Sequence, residues 1–101
     1  MTMEIVWLPL AFEDLNTIKT YYLEVASTAV ARRQLRKITQ SARLLTSQPY
    51  MGHISPNDVD GDVLEWHIPS TSYTLPYMVV GDQLWIMRVF DQRQKRPDSW
   101  H

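Results

Sequence analysis

Val63-Leu64-Glu65-Trp66-His67-Ile68-Pro69, then Tyr73-Thr74-Leu75-Pro76-Tyr77-Met78-Val79-Val80, then Gly81-Asp82, then Leu84-Trp85-Ile86-Met87-Arg88-Val89-Phe90: this run decides the fold. Its three apolar segments are rich in β-branched and aromatic residues, the composition of strands. Gly81-Asp82 suits a tight hairpin turn, with glycine supplying the positive φ of the first turn position. Pro76 cannot donate to a ladder, so it implies an edge, a bulge or a side that faces nothing. Directly after the last segment comes a basic run, Asp91-Gln92-Arg93-Gln94-Lys95-Arg96-Pro97, closed by Trp100. A small sheet therefore presents positive charge at one end.

Upstream, Met3 to Trp7 reads as a short strand. Pro9 fits the first turn of a helix, where its missing N–H is no loss. Ala11, Leu15, Ile18, Tyr22 and Val25 recur at three- and four-residue steps, one apolar helical stripe. Ser27 or Thr28 can cap a second helix with the stripe Ala31, Leu35, Ile38, Ala42 and Leu45. Pro49 should stop that helix near Gln48. Tyr50 to Asp62 reads as a loop containing Gly52, Pro56, Asn57 and Gly61. The expected architecture is α+β, in the order β-α-α-β-β-β. It is an antiparallel sheet with an N-terminal helical hairpin packed on one face.

The 101 residues make one domain, 1–101, and 45% hydrophobic residues are ample for its core. There is no cysteine, which excludes a disulfide scaffold and thiolate metal sites. No apolar run approaches membrane-spanning length, and a cytoplasmic protein is expected. The net charge of −1 argues against a general polyanion binder, yet the charge is unevenly spread. Arg32, Arg33, Arg36, Lys37 and Arg43 fall in one segment, and Arg88, Arg93, Lys95 and Arg96 near the end, with Asp58, Asp60 and Asp62 in a compact acidic loop.

Little of this carries recognisable chemistry. The acidic loop has its glycine in the wrong place for a calcium loop, and Pro69 stands where a bidentate glutamate should fall. His53, His67 and His101 lack metal-ligand spacing, so neither metal nor cofactor is expected. His67 alternates with Glu65 and Val63 on one strand face and could serve as a general base if that face is an open cleft. The basic end is the strongest site candidate, because the planar guanidinium fork suits phosphate or carboxylate partners.

Taken in order, several pieces resemble the RelE/ParE superfamily of bacterial toxins, the ParE branch in particular. Trp7-Leu8-Pro9-Leu10-Ala11 with Asp14-Leu15, Ile18 and Tyr21-Tyr22 resembles that branch's opening helix. Leu44-Leu45 followed by Pro49 and Gly52 resembles its exit from the second helix, and the three apolar segments resemble its C-terminal strands. The resemblance implies the toxin of a type II toxin–antitoxin module, neutralised by a cognate antitoxin that folds onto it. ParE-like members poison DNA gyrase, whereas RelE-like members are ribosome-dependent endoribonucleases that cleave mRNA.

If this chain were a nuclease, the resemblance would assign catalysis to His67, Tyr77, Arg88 and Arg93. It departs from the nuclease pattern at three positions, however. Leu64 and Met78 stand where arginine is frequent, and Asp91 where a histidine often follows the last strand. The favoured expectation is thus a gyrase inhibitor, with an mRNA endoribonuclease or an inactive antitoxin-binding homologue as alternatives. Target contacts are expected from Arg88, Arg93, Lys95, Arg96 and Trp100, and antitoxin contacts from Arg32, Arg33, Arg36 and Arg88. Because the last strand should end near Phe90, the tail beyond Asp91 is expected to be separable from stability, unless Trp100 folds back over the sheet.

Overall fold

A computed structural model describes residues 3–58 and 60–101. Strand β1 spans Glu4–Trp7, helix α1 Pro9–Val25 and helix α2 Thr28–Ser47. They are followed by β2 (His53–Ile54), β3 (Leu64–His67), β4 (Tyr73–Val80), β5 (Gln83–Ile86) and β6 (Phe90–Asp91). The expected order of elements holds, with a two-residue strand added on either side of the three long ones.

Local chemistry sets the helix boundaries. Pro9 opens α1, and the Oγ of Ser27 caps α2 by accepting the Val30 N–H at 3.2 Å. α2 ends at Ser47, two residues before Pro49. With only Ala26 and Ser27 between them, the helices fold back on each other. Ala11 and Ile18 from α1, and Ile38, Ala42 and Leu45 from α2, meet Leu75, Tyr77, Leu84 and Ile86 of the sheet in the main core. Val25, the last member of the α1 stripe, is exposed.

The sheet order is β1-β5-β4-β3-β2, with β6 pairing further along β4. It is mixed rather than wholly antiparallel, because β1 lies parallel to β5 in the register Glu4↔Gln83 to Trp7↔Ile86. β1 precedes the helical hairpin in the chain and lies beside β5, the last long strand. Gly81 turns β4 into β5 at φ 60°, as its place in the sequence requires.

Pro76 occupies no edge: β3 flanks β4 on one side and β5 with β6 on the other. The registers Tyr77↔Ile86 and Thr74↔Phe90 leave two β4 residues facing three on the neighbouring β5–β6 segment, Met87 to Val89. This is a β-bulge. The Pro76 carbonyl accepts the Met87 N–H at 2.9 Å, so its missing donor faces that same bulged segment. A proline in an interior strand has been matched with the one place where no ladder donor is needed. The bulge also interrupts the expected continuous last strand, and Arg88 lies within the interruption.

A second, smaller cluster forms on the sheet face away from the helices, where Val63, Met87, Phe90 and Trp100 are buried together with Leu8 and Met78 against them. Elsewhere, Tyr77 is fully buried on the helix side and its hydroxyl ties down the loop after α2. It donates to the Pro49 carbonyl at 2.8 Å and accepts from the Gly52 N–H at 3.0 Å. Gly52 is required by this close approach, since a Cβ there would lie 2.7 Å from both the Glu65 carbonyl oxygen and the Tyr77 hydroxyl. Gly52→Ala should therefore cost about 2 kcal/mol through overpacking against backbone. A fall in melting temperature of roughly 10 °C, followed by circular dichroism, is the expected reading.

Candidate functional site

The residues singled out from the sequence fall into three separate places. The first is a cleft between α1 and the bulge, lined by Asp14, Tyr21, Tyr73, Arg88, Asp91 and Arg93 among others. The Asp14 carboxylate reaches across from α1 and accepts from Arg88 Nε at 2.8 Å, Arg88 Nη2 at 2.9 Å and the Val89 N–H at 2.9 Å. The bulge makes this possible by turning the Val89 N–H away from the ladder. Arg88 is thus fixed by a bidentate pair, one guanidinium edge committed to Asp14. Asp14 is a cleft residue that sequence reasoning missed; its spacing on α1 shows only that it lies beside the apolar stripe.

Arg93 sits on the far side of the same cleft and is similarly engaged. Its Nε and Nη2 donate to the carboxylate of Asp91, the shorter contact being 2.7 Å. Those hydrogen bonds hold the Asp91 carboxyl below its ordinary range. Asp91, at the position where the resemblance leads one to expect a histidine, is paired with the neighbouring arginine. Tyr73 lies within hydrogen-bond reach of Tyr22 at 3.5 Å, and burial together with that partner pushes its phenol well above the ordinary value.

The second place is on the other sheet face and was not foreseen. Glu65, 2% exposed, points its carboxylate into the smaller cluster. Oε2 accepts from Ser55 Oγ and Arg96 Nη2, each at 2.5 Å, and from Trp100 Nε1 at 3.0 Å. Trp100 also donates to Ser55 at 2.9 Å, and Arg96 reaches Asn57 Oδ1 at 2.8 Å. The Asn57 amide in turn donates to the Pro97 carbonyl. Burial alone would raise the Glu65 carboxyl, but the bonds from Ser55, Arg96 and Trp100 outweigh it and leave the pKa lowered. Phe90 meets the Trp100 ring edge-on at 5.2 Å.

The tail is therefore a strap pinned to the sheet, which overturns the expectation that residues beyond Asp91 are separable from the fold. Of the expected target-contacting residues, Trp100 is buried at 5% exposure and Arg96 is committed to Glu65. Arg93 and Lys95 are exposed, and Lys95 has no ion-pair partner among the described residues. The third place is the outer face of α2, where Arg32, Arg33 and Arg36 are exposed. Arg88, grouped with them by expectation, lines the cleft instead.

Of the four residues expected for RNA chemistry, Arg88 and Arg93 share the cleft, and His67 and Tyr77 lie outside it. Tyr77 projects into the helix-side core, whereas His67 pairs opposite Thr74 on the other face and is exposed. Burial pushes the Tyr77 phenol upward. Leu64 packs against the main core and Met78 against the smaller one, so two positions where arginine is frequent are filled by packing residues. Asp58 spends its carboxylate on the backbone N–H groups of Asp60, Asp62 and Val63, stapling its own loop. No helix among the described residues is long and apolar enough to cross a membrane.

A helical hairpin thus lies on one face of a mixed sheet, with Arg88 and Arg93 each held by a carboxylate beside the bulge. Residues 5–96 match the model of the ParE toxin family of type II toxin–antitoxin systems (parDE), and the chain belongs to that family. No curated protein matches it. Among solved structures, a chain of the chromosomal ParDE TA system from P. aeruginosa superimposes with a TM-score of 0.76 at 21% identity. That match covers 89% of this chain and 96% of the other. At that identity it shows the shared fold. As a ParE-family toxin, this protein has an antitoxin as its implied partner.

Proposed function

We propose that this toxin acts in the cytoplasm by inhibiting DNA gyrase, without cutting RNA, and that its antitoxin docks along α1. The observation that carries the first part is the separation of His67 and Tyr77 from the cleft that holds Arg88 and Arg93. A nuclease needs its acid–base and charge-stabilising groups around one phosphate. Here two of the four project from opposite sheet faces and the other two are bound to Asp14 and Asp91. The choice of gyrase rests on the resemblance to the ParE branch. Arg93 and Lys95 are the exposed cations of the tail and the favoured target contacts.

For the antitoxin, α1 offers Leu10, Tyr21 and Val25 at 49%, 47% and 60% exposure along the flank that borders the cleft. An amphipathic segment could cover that flank and place an acidic side chain on the free edge of Arg88. The arginines of α2, also expected to serve the antitoxin, lie on a different surface and support another occupant, argued below.

Purified toxin should block gyrase supercoiling or trap cleaved DNA while leaving ribosome-bound mRNA intact. Arg93→Ala with Lys95→Ala should weaken the gyrase effect at unchanged stability. Cleavage of mRNA on the ribosome at stoichiometric toxin would reverse the assignment.

A further inference from the structure

α2 carries five of the ten cations of the chain and none of its eleven carboxylates. Four of the five form one outward row. Arg32, Arg36, Gln40, Arg43 and Ser47 follow at steps of four, four, three and four, which keeps them on a single helical face, with Arg33 beside them. All six are exposed, and the opposite face buries Ala31, Ile38, Ala42 and Leu45. Among the described residues, none of these four arginines has a carboxylate partner. They differ in this from Arg88, Arg93 and Arg96, each of which does.

From these features we infer that the outer face of α2 is a sequence-independent docking surface for the phosphate backbone of double-stranded DNA. From Arg32 to Arg43 the helix rises about 16 Å, at about 1.5 Å per residue. One DNA strand presents about five phosphates over that distance, at about 3.4 Å each. Guanidinium forks bind phosphate bidentately, and the Gln40 and Ser47 side chains add neutral donors at the same spacing.

The composition of the row separates duplex DNA from the other polyanions. An acidic protein segment is anchored by apolar and aromatic side chains inserted into pockets. The row itself offers none, and the large exposed apolar side chains cluster on α1, with Leu44 the only one on α2. Single strands are gripped by stacking their bases on aromatic rings. α2 contains no Phe, Tyr or Trp. A row of cations without anchors or stacking platforms fits a regular, already stacked duplex. The net charge of −1 does not oppose this, because the carboxylates all lie on other elements. The inference stands on α2 alone and does not depend on the gyrase reading.

The test is fluorescence anisotropy of a short duplex of arbitrary sequence titrated with the toxin between about 50 and 200 mM salt. Four neutralised phosphates give a slope of log K against log salt of about −3.5, a loss of roughly a hundredfold over that range. Arg32→Gln, Arg36→Gln and Arg43→Gln together should reduce the slope to about −1 and weaken binding at low salt more than tenfold. The corresponding triple lysine variant should keep the slope, which separates loss of charge from loss of fold. Polyglutamate and a single strand of the same length serve as competitors and should displace the duplex poorly. No duplex binding at low salt, an unchanged slope in the glutamine variant, or tighter binding of either competitor would overturn the proposal.

Discussion

Truncation after Asp91 should cost more than about 4 kcal/mol of stability, a large share of the roughly 5–15 kcal/mol a domain of this size has. Trp100 is buried against Phe90, Val63 and Met87, and deleting a buried tryptophan side chain typically costs about 3–5 kcal/mol. The same cut removes Arg96, leaving Glu65 with Ser55 as its nearest donor in an apolar setting. Urea or thermal unfolding should show the truncated protein melting on the order of 20 °C lower, or failing to fold at all. Arg93→Ala with Lys95→Ala is the matched comparison, because exposed substitutions shift stability by less than about 0.5 kcal/mol. Equal melting temperatures for the truncated and full-length chains would show that the strap contributes nothing to the fold. A growth assay on truncated toxin cannot separate lost target contact from lost folding, whereas the Arg93 and Lys95 pair can.

Glu65→Gln is the second large effect, and its pH dependence distinguishes it from a packing change. Glutamine keeps the shape but removes the charge that assists the bonds from Ser55, Arg96 and Trp100, for an expected loss of about 2 kcal/mol near neutrality. The Glu65 carboxyl is lowered in the folded state from an ordinary value of 4.5. A lowered carboxyl contributes its stability fully above the ordinary value and loses it as pH falls through the folded value. The gap between wild type and Glu65→Gln should therefore be constant above pH 4.5 and close as the solution is acidified below it. Denaturant midpoints measured across that range give the answer directly. A gap that stays constant into acid would mean that the carboxylate's charge is not what holds Arg96 and Trp100.

Much of the fold was readable from local pattern. The α2 stripe from Ala31 to Leu45 is buried or half-buried throughout, as periodicity requires. The same holds for α1 until Val25, which is exposed. Pro76 announced an irregularity, and the bulge opposite it is the form that the missing N–H took. Sequence could not show that β1 would join parallel to β5, because neither strand records its partner.

The site was less legible for the same reason. Arg96 and Trp100 looked like a free basic end, since the carboxylate that binds them stands 31 and 35 residues earlier. Arg88 looked like one cation among several until Asp14, 74 positions away, was brought against it. What a charged side chain does depends on its counter-charge, and for Arg88 and Arg96 the counter-charge comes from a distant segment.

The parallel pairing of β1 has a kinetic consequence. Glu4 and Gln83 stand side by side in the sheet although 79 positions separate them. The helical hairpin and the β4–β5 turn need only short loops to close and can form in the first moments of folding. β1 must wait for the widest closure in the sheet, which is entropically the slowest. On a ribosome it emerges roughly eighty residues ahead of its partner, an interval of about 4–16 seconds at roughly 5–20 residues per second. During that time Ile5, Val6 and Trp7 are an unpaired apolar strand, and the nascent chain is at its most exposed to chaperones and to self-association.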